Sequence, residues 1–519
     1  MKLYIISLIV INTIFSIFPN QSNIADNFNN SYADDINSNS IYEIIELEDR
    51  LWLRTGAGLS FIDYDDSNLP SFHSIIDNNL PEGGSPAFFV NDDIMIISGS
   101  KAVYENGRYR PMGTGISWSI DDGDIWNYIE QPIDSIPASG AYTYETWGNQ
   151  DSIRFKAITV PIYNISYDVE VYNDDIYAAS FAGGFRRFNT LQDILKWELI
   201  PLPMDNQDSL ICNEIDIDTY KYDPVDPPEG SDNHKAFSTF IDNSTIWVGT
   251  GDGVNKGIIN LEDNCIDWFH YNEDNGLGDR WVVGIKKDNS DRLWLISWDP
   301  EQNTPIPHNL SYTEDSGETW EFISFFKDIN AIVYDLSFHE ENIYASTSRG
   351  LYRTYNNDID LWFRFEIEDL NGQPSFTDAV YTSYKVQNIN NLWAGTPDGL
   401  FDSHDDGISW TFYRSWNHMS DSSNEDKRLS AYPNPFYNNG YVRIVYYHGD
   451  ATHNAKLDIF DFNMTHIVNL DSPTLINDEG QFIWNGQNQF NQEVANGVYF
   501  CRLNLDGKIY WTKLMVINS

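Results

Sequence analysis

A short unit recurs along the middle of the chain: an aliphatic residue, an aromatic one, then small residues and a glycine. It appears as Leu51-Trp52 leading to Gly56 and Gly58, as Ile176-Tyr177 leading to Gly183 and Gly184, and as Ile246-Trp247-Val248-Gly249-Thr250. It returns as Leu293-Trp294, Ile343-Tyr344 and Leu392-Trp393-Ala394-Gly395-Thr396, with Ile94-Met95 running to Gly99 as a weaker member. Counted from the second residue of each pair, the last four units are 47, 50 and 49 residues apart. That period suits four strands per repeat, one blade of a β-propeller. The 70 residues from Tyr177 to Trp247 imply an insertion, and the 82 from Met95 to Tyr177 a longer insertion or a hidden extra blade. Seven units predict an all-β chain with seven blades across residues 41–416, and eight blades is the alternative. The Asn- and Ser-rich stretch from Asn20 to Ser40 is expected to be disordered before a first strand near Tyr42.

A second pattern overlies the first. Ser119-Ile120-Asp121-Asp122-Gly123-Asp124-Ile125-Trp126 has the form Ser/Thr-x-Asp-x-Gly-x-x-Trp. So do Thr313 to Trp320, through Asp315 and Gly317, and Ser403 to Trp410, through Asp405 and Gly407; Thr354 to Trp362 is a degenerate copy. The chemistry is that of a hairpin turn, in which Asp accepts backbone N–H groups, Gly supplies positive φ and Trp packs between sheets. These segments resemble the Asp-box (BNR) repeats of sialidase-like, sortilin-like and photosystem-assembly-factor-like propellers. The resemblance implies fold and not activity, since such boxes lie at the blade periphery. The Trp247-Val248-Gly249-Thr250-Gly251-Asp252-Gly253 type of unit also looks like two-component-regulator propeller repeats, from which only blade architecture carries over.

From Leu429 the composition changes. Tyr432-Pro433-Asn434-Pro435-Phe436 opens a series of strand-like pieces at 442–447, 455–462 and 482–486. The run Val494-Ala495-Asn496-Gly497-Val498-Tyr499-Phe500 and a final Lys513-Leu514-Met515-Val516 close it. The ordered set resembles the C-terminal sorting domain of type IX secretion cargo in Bacteroidetes. It implies a small Ig-like antiparallel β-sandwich over 429–519 and the type IX translocon as a partner. One departure is Asn463-Met464, where such domains carry a glycine-containing turn; Asn tolerates the left-handed backbone needed there. Residues 417–428 read as a polar linker, the expected place of proteolytic removal. At the other end, Met1-Lys2 followed by an apolar run from Leu3 to Phe18 fits a secretory signal peptide over 1–25 better than a membrane span of about 20 residues. Together these predict a secreted or surface-exposed protein with no stable membrane insertion of the mature chain.

Charge narrows the partners. Of 31 Lys/Arg and 78 Asp/Glu, only 5 and 8 fall from Leu429 onward, so 26 oppose 70 in the rest. Such a surface repels phosphate backbones and argues against nucleic acid. Cys212, Cys265 and Cys501 are too few for a disulfide framework, and a Cys212–Cys265 bridge stays open. Asp216, Asp218, Asp223, Asp226, Glu229 and Asp232 fall within seventeen residues. They read first as a solvated acidic loop and alternatively as a Ca²⁺ site of hard oxygen ligands; no other cofactor is implied. Catalytic motifs are missing: Tyr109-Arg110-Pro111 lacks the aliphatic residue of the sialidase motif, and no zinc spacing, serine elbow or phosphate loop appears. The expectation is a non-catalytic binding or scaffold module for a glycan or protein, docked where loops converge on the central face. An extracellular glycoside hydrolase or lyase on that face is the alternative. A deep cleft with two close carboxylates would favour it, and an aromatic-lined face would favour binding.

Overall fold

The computed structural model describes residues 32–517, except 34–35, 49, 64–70, 76, 136–141, 148–149, 226–229, 261, 264, 299–308, 356–357, 369–377, 387–390, 414–428, 433, 438–440, 448–453, 472 and 477–478. The expected signal peptide (1–25), the linker (417–428), Pro433 and Asp226 lie outside the described residues. Among those described, no helix is long and apolar enough to cross a membrane.

Seven consecutive antiparallel sheets follow one another among the described residues. Their first strands are Ile41–Leu47, Phe88–Val90, Ser166–Tyr172, Ala236–Asp242, Trp281–Lys287, Val333–His339 and Thr382–Lys385. In each sheet the next three strands pair outward in chain order. The repeated aliphatic–aromatic pair falls on the second strand, and its period of two explains its use. The aromatic residue enters the core shared with one neighbouring sheet and the aliphatic residue the core shared with the other. Trp294 thus packs with Ile343 and Ala345, Tyr344 with Leu392 and Ala394, and Trp393 with Leu51 and Leu53. Trp247 meets Leu293 and Leu295, and Tyr177 meets Ile246 and Val248. The pair in the seventh sheet packs on the first, so the ring of cores is closed, the arrangement of a β-propeller.

In the second sheet the register of the unit is one residue later than the sequence suggested. Met95 shares a core with Trp52, and Ile96 with Ile176 and Ala178, so the pair is Met95-Ile96 and not Ile94-Met95. The 82-residue gap holds no further four-stranded sheet among the described residues. Tyr142–Trp147 and Gln150–Lys156 form a hairpin that pairs in parallel with Lys221–Tyr222 from the other long gap. The stretch expected to be disordered is partly built in: Tyr32–Ala33 pairs with Ile75 and Ser74, and Ile36 is buried against Leu53 and Val386.

After Leu429 two sheets share one core, containing Ile444, Trp484, Leu457, Cys501 and Leu514. The strands Val442–Tyr447, Ala455–Phe460, Glu479–Trp484, Gly497–Leu505 and Lys508–Ile517 carry most of it. The pairing is not wholly antiparallel, because Phe436–Tyr437 runs parallel to the final strand. At Asn463-Met464 it is Met464 that takes the left-handed backbone, at φ 63°. Asp461 fixes that turn by accepting from Thr465 N at 2.7 Å and, through its carbonyl, from Met464 N at 2.9 Å.

Candidate functional site

Antiparallel connection sorts the loops by end. The chain enters each first strand at the same end that carries the turn between second and third strands; call it the upper end. Turns between third and fourth strands lie at the lower end. Four upper turns share one construction. The hydroxyls of Thr55, Thr250, Thr347 and Thr396 donate to the carbonyls of Gly58, Gly253, Gly350 and Gly399 at 2.7–3.2 Å. Each hydroxyl also accepts from the N–H two residues on, at Ala57, Asp252, Arg349 and Asp398. The glycine is required: at Gly253, φ is +102° and a Cβ would sit 2.1 Å from the Tyr271 carbonyl oxygen.

Around the axis at this end the first strands carry a shared irregularity. Pairing with the second strand skips one residue in five sheets, at Tyr42, Tyr167, Phe237, Val283 and Tyr334. Such bulges re-aim side chains, and here the re-aimed residues are mostly aromatic. Tyr381, just ahead of the seventh sheet's first strand, stacks on Tyr42 at 5.3 Å and meets Tyr334 edge-on at 5.2 Å. That arc joins the sixth, seventh and first sheets. A second arc joins the third to the fifth, through Tyr167–Phe237 at 6.1 Å and Phe237–Trp281 at 5.1 Å, with Phe181 beside both. Lys235 Nζ lies 5.7 Å from the Phe181 ring centre, and the Arg54 guanidinium 5.6 Å from that of Tyr42. The tyrosines of the first arc are half-buried, whereas Phe181, Phe237 and Trp281 are buried. Burial holds the phenols neutral, with Tyr334 raised to about 12 and Tyr42, Tyr167 and Tyr381 raised as well.

Acidic residues follow three of the five bulges. Glu43 receives Arg54 Nε at 2.9 Å. Asp168 accepts its own strand's Val169 N at 3.0 Å and, from the next sheet, Thr239 N at 2.9 Å. Asp335 accepts Leu336 N at 2.9 Å, Thr382 Oγ1 of the next sheet at 2.8 Å and Lys286 Nζ of the previous one at 3.1 Å. Asp168 and Asp335 therefore clamp neighbouring sheets together, while Glu43 holds an arginine of its own sheet. Two residues on from Asp168, Glu170 shares its side of the strand. Burial raises the Asp168 carboxyl to about 7 and pushes Glu170 well above the usual range; Glu43, on the first sheet, raises both, and Lys286, on the fifth, lowers both. Fields from the first, third and fifth sheets converge only because the first strands surround a common axis. Chemically, the half-buried tyrosines of the first arc offer aromatic faces for sugar rings or apolar side chains, beside carboxyl groups that accept or share protons.

The residues singled out from sequence fall elsewhere. Ser119, Thr313 and Ser403 each donate to the Asp two residues on (Asp121, Asp315, Asp405) at 2.7–2.9 Å and accept from Gly123, Gly317 and Gly407 N. Hydrogen bonds from Thr319 and Ser409 hold the Asp315 and Asp405 carboxyls down at about 2, and Ser119 lowers Asp121. Trp126, Trp320 and Trp410 pack against the preceding sheet, Trp320 edge-on to Trp247 at 6.1 Å. All three are lower turns, at the opposite end from the aromatic arcs. Asp216 binds its own turn through Thr219 Oγ1 at 2.9 Å and Asp218 N at 3.2 Å, while Asp223 is buried against Tyr142, with Lys156 at 3.7 Å. Among the described residues, no three metal-ligating side chains meet. Cys212 and Cys265 are joined in a disulfide, which answers the pairing left open by sequence; Cys501 is buried as a thiol. Asn434 bridges to the last strand by donating to Lys513 O at 2.8 Å and accepting Met515 N at 2.9 Å; Pro435 follows it, Phe436 packs on Trp484, Tyr432 ends a strand and Gly497, after Asn496, begins one.

The mouth itself had a signal that the repeat unit obscured. Tyr42-Glu43, Tyr167-Asp168 and Tyr334-Asp335 each precede the aromatic residue of the next unit by ten residues, measured from the tyrosine. No family model matches the chain, and no curated protein does. Among solved structures it is similar to PorZ, described as an essential bacterial surface component of the type-IX secretion system of Porphyromonas gingivalis. The identity is 12%, over 91% of this chain and 64% of that one, with a TM-score of 0.39. It is similar to the β-propeller domain of Cps50 (Swd1) from Myceliophteria thermophila at 10% identity, over 72% and 98%, with a TM-score of 0.44. The extracellular domain of a hybrid two-component system from B. thetaiotaomicron is similar at 11%, over 92% and 68%, with a TM-score of 0.31. The chain thus spans 64% of PorZ's length. These likenesses carry no argument about ligand or activity, and the fold rests on the sheets described above.

Proposed function

We propose that the chain is an exported, non-catalytic binding module: a seven-bladed propeller that takes a glycan or protein ligand at its upper end, carried across the outer membrane by type IX secretion through an Ig-like sorting unit at 429–519. The closed ring of cores supports seven blades over eight. The observation that carries the binding reading is the arc of half-buried tyrosines at the upper mouth, Tyr334, Tyr381 and Tyr42, two of them set by bulges repeated from sheet to sheet. The motif series from Tyr432 to Val516 supports the route.

A hydrolase or lyase is the second reading, and the neighbouring carboxyls of Asp168 and Glu170 favour it, one raised to about 7. Against it, both Asp168 oxygens already serve as acceptors, Oδ1 for Val169 N of its own strand and Oδ2 for Thr239 N of the fourth sheet. The test is to incubate the exported protein with a panel of polysaccharides and sialosides and to read retention and released reducing ends together. Retention without release supports the binding module for glycans, and silence on both assigns the mouth to a protein partner. Released sugar overturns the non-catalytic reading.

A further inference from the structure

The upper turn of the seventh sheet holds a buried ion pair that crosses between the two parts of the chain. Arg443, in the first long strand of the C-terminal unit, places Nη2 3.0 Å and Nε 3.4 Å from the Asp398 carboxylate. Both residues are 0% exposed. Gln481 Oε1 accepts from Nη1 at 3.3 Å, and the guanidinium carbon lies 5.7 Å from the ring centre of Phe412, in the outermost strand of the seventh sheet. A guanidinium suits this niche because it can fork onto a carboxylate while lying over an aromatic face.

The fourth sheet gives the pair its meaning. Asp252 occupies the same place in its Thr-x-Asp-Gly turn as Asp398 does in the seventh. It too meets an arginine, Arg280, at 2.9 Å, and Arg280 immediately precedes the first strand of the next sheet. After the seventh sheet the ring closes on the first, whose first strand is preceded by Ser40 and not by an arginine; Arg443 supplies the guanidinium instead. The sandwich thus uses the contact by which one blade takes hold of another.

We propose that the upper corner of the last sheet, built from Asp398 and Phe412, is a docking site for a guanidinium-bearing partner, and that its occupant is the chain's own C-terminal unit with Arg443 as the key. Cutting the chain between 414 and 428 then does not release that unit until the clasp is opened. The proposal does not depend on what the upper mouth binds.

The experiment uses the full chain with a specific protease site placed within 414–428, cut and then passed over a sizing column without denaturant. The two fragments are expected to co-elute. Arginine hydrochloride should separate them at a concentration where sodium chloride of equal ionic strength does not. Asp398→Asn is expected to weaken the association at least tenfold, with circular dichroism confirming that both parts stay folded. Should that variant misfold, Arg443→Lys, which keeps the charge and loses the fork, should shift the elution in the same direction. Fragments of the wild type that part at once while folded would overturn the proposal, as would a folded Asp398→Asn or Arg443→Lys chain that stays associated as tightly as wild type.

Discussion

At the scale of single residues, the repeat spends its aromatic side chains on two separate tasks. Trp410 is fully buried, edge-on to Phe365 and Phe401, and locks a lower turn against the sixth sheet. Replacing it with Ala should cost about 3–5 kcal/mol in a denaturant titration, the usual range for a buried Trp. Tyr381 stands half-buried at the mouth, where its loss removes contact area without opening a core. Asp168 sets a pH dependence of definite sign. Its carboxyl is raised from the ordinary value of 3.8 to about 7, so the folded state holds a proton that the unfolded chain releases first. Its contribution is full below pH 3.8 and is lost as pH rises to 7, by up to about 1.4 kcal/mol per pH unit. Asp168→Asn should therefore flatten the fall in stability between pH 4 and 7, as read by urea midpoints. A variant whose slope matches wild type would remove Asp168 as the cause.

At the scale of elements, what could be read from sequence follows from what each signal encodes. The aliphatic–aromatic pair marks a strand buried on both faces, and it located the second strand of six sheets directly. It slipped by one at Ile94-Met95-Ile96-Ile97, where four apolar residues in a row carry no parity and only packing on Trp52 and Ile176 settles which faces which way. The bulges at Tyr42, Tyr167 and Tyr334 were not legible in that unit, because a bulge is a mismatch between two strands and leaves little trace in either one alone. The Cys212–Cys265 bridge could not be decided from spacing, since it depends on how the long insertion folds back on the outer edge of the fourth sheet. It joins cysteines 53 residues apart in sequence, with Cys212 N also donating to Asp267 Oδ1 at 3.0 Å. Loop closure of that length is worth about 4 kcal/mol, so a Cys212→Ala, Cys265→Ala double variant should lose roughly that amount in chemical denaturation, with the other six sheets unchanged in hydrogen exchange.

At the scale of the molecule, the two ends of the ring divide the work. Lower turns built on Asp121, Asp315 and Asp405 close hairpins and tie sheet to sheet; the upper end gathers the bulged aromatic residues, the half-buried carboxyls and the seat of the C-terminal unit. Removing 429–519 should abolish appearance at the cell surface, and unchanged export of the truncated chain would sink the sorting role. The central claim is that ligand is held at the upper mouth. It is tested most directly by measuring retention, on whichever panel member binds, for a Tyr42→Ser, Tyr381→Ser variant beside an Ile408→Ser variant, Ile408 being 84% exposed on a lower turn. Losing the stacked pair should weaken binding roughly tenfold or more while the Ile408 change leaves it as it was. Full retention by the tyrosine variant, with loss in the Ile408 variant, would contradict the account and move the site to the lower end.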